Sequence, residues 1–262
     1  MSFYGTSFIF DGTACEEFGL MMYDFESNTQ EAGTIGSEVK IQEDRLWGRY
    51  TPLDYGSNEN DPLEFNLIFG VNSGDRRLDR FDVAKIAGWL KQPGYHYLHI
   101  CQSDMEDFHY KCRITELVPI FISNEIIGMK AKVVCDSPYA YWMPERFSFQ
   151  CIGTKEIIIH NKSNINRYYY PLMTITTSES GGTIHIINND SGDNFKLSSL
   201  PAKSISIEID GENGILISSD GINVYEYSNF AFPRLLRGDN HISLIGNFSL
   251  DMIVEFPFDI GC

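Results

Sequence analysis

The sequence predicts a mainly β protein in two parts, and three patterns predict it. Apolar and polar residues alternate over short stretches along most of the chain, which is typical of half-buried strands. One stretch, around Trp89, has instead the 3.6-residue spacing of an amphipathic helix. Beyond Asp136, turn-forming residues recur about every 8–12 residues, which is typical of an antiparallel sandwich.

The first part, residues 1–136, is predicted to be β-rich with one short helix. Three stretches in it alternate as strands do: Leu63–Phe69, Phe108–Ile114 and Met129–Cys135. The helix is predicted over about residues 75–91, with Asp75 as its cap and Pro93-Gly94 at its end.

A projecting arm is predicted over about residues 26–50. The chain is polar from Glu26 to Val39 and lacks the apolar residues of a core strand. A stretch this long and polar within a compact domain is either mobile or ordered by a partner. A second copy of the chain would supply the burial that the arm lacks.

The second part, residues 137–262, is predicted to be an antiparallel β-sandwich. Its alternating segments are Ile205–Ile209, Ile215–Ile217, Ile242–Leu244 and Phe248–Phe256. Asp210-Gly211 and similar turns separate the segments. The final strand, up to Phe258, is a candidate to return to the first part.

Charge and cysteine content limit the partners and the compartment. The net charge is −16, which disfavours recognition of nucleic acid because phosphates need clustered lysine and arginine. No basic, apolar and small-residue series marks a secretion signal after Met1, so synthesis in the cytoplasm is expected. The six scattered cysteines are therefore expected to be mostly buried thiols.

No motif for catalysis or cofactor binding is present, and we expect neither enzymatic activity nor a cofactor or metal. The residues closest to a metal-binding group are His96, His99, Cys101, His109 and Cys112. Their spacing matches no usual zinc pattern, and the cysteines fit the apolar faces of strands. Neighbouring carboxylates such as Asp104 and Asp107 are expected by chance among 36 acidic residues.

The order of elements resembles the distal tail protein of long-tailed phages and related prophages. The segments that carry the resemblance include Phe18-Gly19-Leu20, Trp47-Gly48-Arg49, Trp89-Leu90-Lys91, Cys135-Asp136-Ser137-Pro138-Tyr139-Ala140-Tyr141 and Leu236-Arg237-Gly238-Asp239-Asn240. Order and spacing over nearly the whole chain, rather than any single motif, make the match. The chain departs from the family at Gly48-Arg49-Tyr50-Thr51, where the family often has a Gly-Arg-Asp-Gly turn.

The resemblance implies a structural hub at the phage tail tip. The first domain would form a hexameric ring, alone or as stacked rings, with each arm lying on a neighbouring subunit. The second domain would be a galectin-like sandwich that points outward. The implied partners are the major tail tube protein, the tail-tip spike protein and, in some members, receptor-binding proteins. DNA would pass through the ring without being recognised, and no membrane contact is implied.

Six residues around the arm are predicted to form the subunit interface: Ile35, Val39, Ile41, Leu46, Trp47 and Arg49. The alternative function is carbohydrate binding or adhesion through the sandwich, with Tyr168-Tyr169-Tyr170 as a possible stacking surface. The same three tyrosines also fit a strand with one ring buried.

Overall fold

A computed structural model describes residues 5–23, 39–59, 61–72 and 76–260. Its strands are β1 Ser7–Phe10, β2 Thr13–Ala14, β3 Leu20–Met22, β4 Val39–Asp44, β5 Leu53–Glu59, β6 Glu64–Val71, β7 His96–Cys101, β8 Phe108–Ile122, β9 Glu125–Cys135, β10 Ala140–Trp142, β11 Glu145–Asn161, β12 Leu172–Thr177, β13 Gly182–Asn188, β14 Asp193–Leu200, β15 Ser206–Asp210, β16 Ile215–Ser218, β17 Gly238–Val254 and β18 Pro257–Phe258. Helix α1 is Arg80–Leu90, and Cys15–Phe18 and Val224–Tyr227 form short 3-10 turns. The prediction of a mainly β fold with antiparallel sheets is confirmed.

The chain divides into two compact units. The first contains residues 1–141 and 259–262, and the second contains residues 142–258. After β18 the chain rejoins the first unit, where the partly buried Ile260 packs against the first core.

The first unit is built around one antiparallel sheet, in the order β2-β1-β7-β8-β9-β6-β3. Its inner face supplies fully buried aromatic rings such as Phe8, Phe69 and Tyr110. Helix α1 covers this face through Trp89, whose ring stacks on Phe18 at a centroid distance of 4.6 Å. The Trp89 indole N–H donates to the carbonyl of Phe10 at 3.2 Å, so its polar atom is satisfied inside the core.

Helix α1 begins later than the sequence predicted. Asp79 is its N-cap, and the carboxylate of Asp79 accepts hydrogen bonds from the backbone N–H groups of Phe81 and Asp82, each at 2.8 Å. The Asp82 side chain accepts from the N–H of Asp79 and completes a capping box. Residues 76–79 are not helical, so the predicted start at residue 75 is wrong, and Asp75 itself lies outside the described residues.

The second unit is a sandwich whose two halves share a pair of long strands. Strands β11 and β17 pair over their full 17 residues, from Glu145↔Val254 to Asn161↔Gly238. The second half of β17 pairs with β12, which continues to β15 and β16; the first half pairs with β13, which continues to β14. The sequence predicted two segments, Ile242–Leu244 and Phe248–Phe256, where the structure has one continuous strand.

A pair of glycines marks the change between the two halves. Gly153 lies directly opposite Gly246, and both have positive φ, 79° and 129°. A Cβ on Gly246 would stand 2.8 Å from the carbonyl oxygen of Thr183. Glycine is therefore required at residue 246 both by its backbone conformation and by the close approach of Thr183.

Replacing Asp79 with alanine should lower the free energy of unfolding by about 1 kcal/mol, because the first turn of α1 loses its side-chain acceptor. Urea unfolding followed by circular dichroism measures the loss. Asp107→Ala, at an exposed carboxylate of the same unit, is the control and should leave the transition unchanged. An Asp79→Ala variant as stable as the parent protein would contradict the capping role of Asp79.

Candidate subunit interface

Strands β4 and β5 form a hairpin that pairs with no other strand in the described residues. The hairpin overlaps the predicted arm at residues 39–50 and runs on to Glu59, beyond the predicted end near residue 50. Residues 26–38 of the predicted arm lie outside the described residues. The turn at its tip is closed by the N–H of Arg49, which donates to the carbonyl of Leu46 at 3.2 Å. Gly48 takes φ of 87° there, as the third position of a type II turn requires.

The hairpin carries large apolar side chains that are left exposed. Trp47 and Tyr50 at the tip are fully exposed, and Ile41, Leu46 and Tyr55 are each more than half exposed. A two-stranded hairpin alone in water is marginally stable at best. This combination indicates a surface that another protein chain covers.

The six predicted interface residues are placed as follows. Ile41, Leu46, Trp47 and Arg49 lie together on the hairpin and are all exposed. The backbone of Val39 begins β4, opposite Glu59. Ile35 lies outside the described residues. Their role as an interface stays a prediction.

A second exposed apolar surface, which the sequence reasoning missed, lies at the tip of the β8–β9 hairpin. Val118, Phe121 and Ile122 are each slightly more than half exposed. Ser123 and Asn124, with φ of 50° and 67°, form the two-residue turn between the strands. The signal was the apolar run of residues 117–122, which breaks the alternation of a half-buried strand.

The base of this tip is held in place by the segment before α1. The N–H of Leu78 donates to the carbonyl of Ile126 at 2.9 Å. The guanidinium of Arg77 contacts the Glu125 carboxylate at 2.6 Å. Strand β7 pairs with β8 through residues 110–112, so the exposed tip lies beyond that pairing. The tip is therefore positioned by the fold while its apolar side chains are left uncovered.

The histidines and cysteines considered for metal binding have separate structural roles. His96 faces Cys112 across β7 and β8, but its ring nitrogens contact Asp11 and the carbonyl of Pro93. His99 contacts the carbonyl of Phe108 at 2.8 Å. Burial raises the pKa of the Cys112 thiol to about 12, so it stays protonated and is a poor ligand. Within the described ranges, no three such side chains form a metal-binding group.

The predicted tyrosine strand differs from the structure. Tyr169 forms an isolated bridge with Leu235 rather than part of a regular strand. Its ring packs against Phe256 at 5.0 Å, whereas Tyr168 is exposed and lies 4.0 Å from the Arg234 guanidinium. One ring turns inward, as the strand interpretation expected, but the segment is irregular.

Helices of the described residues are all too short or too polar to span a membrane. The described cysteines, five of the six, are free thiols; Cys262 lies outside the described residues.

Comparisons with known proteins cover both units. Residues 3–137 match the family model described as a phage tail protein N-terminal domain, and residues 139–256 match that of a phage tail C-terminal domain. No curated protein sequence matches the chain.

Among solved structures, the chain is similar to the Dit protein (gp 19.1) of phage SPP1, with a TM-score of 0.66 and 11% identity over 95% of this chain and 98% of that one. It also aligns with a chain of the phage p2 baseplate, with a TM-score of 0.46 and 10% identity over 90% of each chain. The resemblance to distal tail proteins is thus confirmed in family and in fold. The chain belongs to the family of phage tail proteins defined by these N- and C-terminal domains.

Proposed function

We propose that the chain is a structural hub of a phage tail tip, in which six copies form a ring that joins the tail tube to the tail-tip spike and receptor-binding proteins. Family membership supports a tail component. The SPP1 Dit protein, whose fold the chain shares, is described as a paradigm of the hub adsorption apparatus in phages that infect Gram-positive bacteria. The exposed β4–β5 hairpin is the observation that carries the assembly part of the proposal.

A ring requires two different surfaces on each subunit. In a cyclic assembly each copy contacts its neighbour head to tail, so the patch it presents differs from the patch it receives. The first unit carries two separate exposed apolar surfaces, one at Trp47 and Tyr50 and one at Phe121 and Ile122. We propose that the hairpin, with Ile35, Val39, Ile41, Leu46, Trp47 and Arg49, supplies one side of the contact.

The proposed role is structural and requires no chemistry. The hub needs neither a catalytic centre nor a cofactor, and its partners are proteins: copies of itself, the tube, the spike and receptor-binding proteins. Its place is the tail tip of the virion, after synthesis in the host cytoplasm. The net charge of −16 favours passage of DNA through the ring without binding, because like charges repel.

Replacing Trp47 and Tyr50 with serine should abolish assembly, because it removes the largest apolar side chains of the arm. Light scattering on the purified full chain should give a hexamer for the parent protein and a monomer for the Trp47→Ser/Tyr50→Ser variant. The matched control is Ile152→Ser/Ile158→Ser, which removes exposed apolar side chains from the second unit. A variant that assembles as the parent does would contradict the proposed interface.

A second candidate function, carbohydrate binding, is favoured by one observation on the sandwich. The rings of Tyr225 and Phe230 are exposed and stack at 6.0 Å. The Tyr225 hydroxyl accepts from the N–H of Leu216 at 3.0 Å, which fixes the ring. Phe230 has φ of 60°, a conformation that bulky residues rarely adopt and that clusters at functional sites.

If this aromatic pair binds sugar, the parent protein should give signals on a glycan array. The Tyr225→Ala/Phe230→Ala variant should give none, because stacking of the sugar on the two aromatic rings supplies most of the contact. Ile152→Ala, at an exposed apolar side chain elsewhere on the unit, is the control. An array without signal from the parent protein would rule this function out.

A further inference from the structure

We propose that the outer face of the sheet β11-β17-β12-β15-β16 is a docking groove for a basic amphipathic helix of another protein. The groove has a volume of about 620 Å³ and lies within the second unit. That the helix belongs to another tail protein rests on the proposed function. The groove itself is argued from its own geometry and charge.

Strand pairing places the groove side chains in two rows that cross all five strands. The first row, called here the apolar row, is Arg146, Ile253, Leu172, Asp210 and Ile215. The second, the acidic row, is Ser148, Asp251, Thr174, Glu208 and Ile217. Each member stands directly opposite the next one across a strand pair, so both rows are fixed by backbone hydrogen bonding.

The apolar row leaves large aliphatic side chains in water. Leu172 and Ile215 of the apolar row are 53% and 41% exposed, and Ile217, at the end of the acidic row, is 54% exposed. Ile253 lies beside Leu172 on the neighbouring strand and is partly exposed. Alternate residues of the same strands, such as Met173 and Met252, fill the core on the other side of the sheet. These exposed side chains lie on the face opposite the core and form two patches, Leu172 with Ile253 and Ile215 with Ile217. Asp210 and Glu208 on β15 stand between the two patches.

Charge distinguishes the kind of partner. The two rows hold three carboxylates, those of Asp210, Glu208 and Asp251, against the single guanidinium of Arg146. Within the described residues, Glu208 and Arg146 have no hydrogen-bond or ion-pair partner. Asp251 accepts one hydrogen bond, from the Ser148 hydroxyl at 2.5 Å. The carboxylates of Glu208 and Asp251 stand on either side of Thr174, open to a cation.

A basic partner complements this face better than a second copy does. Another copy carries a net charge of −16, so two grooves brought together would repel. Lysine or arginine beside apolar side chains would pair with the acidic row and cover the apolar row at once. Nucleic acid is disfavoured because its phosphates would meet uncompensated carboxylates.

The spacing fits a helix laid across the strands. Residues two apart in a strand are about 7 Å apart, which sets the separation of the two rows. Side chains three and four apart on a helix are about 5–6 Å apart along one face, close to the spacing of about 4.8 Å between neighbouring strands. Five strands at about 4.8 Å span about 19 Å, or roughly 13 helical residues. A helix with leucines along one row and lysines along the next therefore matches both rows.

The test measures binding of a fluorescein-labelled helical peptide to the full chain by fluorescence anisotropy at physiological salt. The peptide has a row of leucines beside a row of lysines. The parent protein should bind this peptide and should not bind its counterpart with glutamate in place of lysine. Glu208→Lys/Asp251→Lys should weaken binding at least about tenfold, because both carboxylates of the acidic row are reversed. Leu172→Gln should weaken it as well.

Matched controls separate the groove from the general acidity of the chain. Glu179→Lys/Asp239→Lys makes the same change in charge elsewhere on the second unit, and Asp239 lies on the same strand, β17, as Asp251. This control should change affinity less than about twofold. Equal weakening by both double variants, or no binding by the parent protein, would overturn the proposal.

Failure of the groove and failure of the ring are distinguishable. The mass of Glu208→Lys/Asp251→Lys in solution should equal that of the parent protein, whatever that mass is, because the groove is assigned to a different partner. A change of mass in this variant alone would make the face a contact between copies and would overturn the proposal. A monomeric parent protein that still binds the peptide would leave the groove intact and contradict the ring.

Discussion

A two-stranded hairpin that pairs with no other strand has no core of its own, so it cannot bury its own apolar side chains. The β4–β5 hairpin is in this position, with Trp47 and Tyr50 fully exposed at its tip. In the main sheet of the first unit, by contrast, the core aromatic rings are buried, since α1 covers the sheet. We therefore propose that the hairpin gains its burial from another protein chain.

In the second unit one pair of long strands, β11 and β17, connects the two halves of a seven-stranded sheet. Because β11 and β17 pair along their full length, the two halves of the sandwich share a continuous backbone ladder. The glycines at residues 153 and 246 stand where the other partner of β17 changes from β13 to β12. One consequence is that the outer side of β11, β17, β12, β15 and β16 forms a broad face whose rows are fixed by register. This face is therefore built from strand residues rather than from a loop.

Much of the architecture follows from periodicity in the sequence. Alternation located β6, β8 and β9, since a half-buried strand repeats every two residues. Alternation did not predict that β17 continues through Gly246. A glycine between two alternating stretches has the same sequence pattern whether the strand ends or bends there. It also placed the helix start too early, because Asp75 and Asp79 are equally good caps by residue type and only the backbone distinguishes them.

The candidate interface was predictable in part. The exposed residues Leu46 and Trp47 followed from the family resemblance and from the polar arm, whereas the apolar tip at Phe121 and Ile122 did not. An apolar run has the same sequence whether a core or a partner covers it, and only the end of the pairing with β7 shows that the tip leaves the core. The groove on the sandwich was unpredictable for the same reason, since its rows combine residues from five separate strands.

Hydrogen–deuterium exchange of residues 39–59 at several protein concentrations tests most directly whether a neighbouring copy covers the hairpin. Backbone amides of β4 and β5 should exchange slowly in concentrated, assembled protein and rapidly after dilution to the monomer, while amides of β8 in the core stay protected throughout. Equal exchange of the hairpin at all concentrations, with assembly shown by mass, would contradict the account.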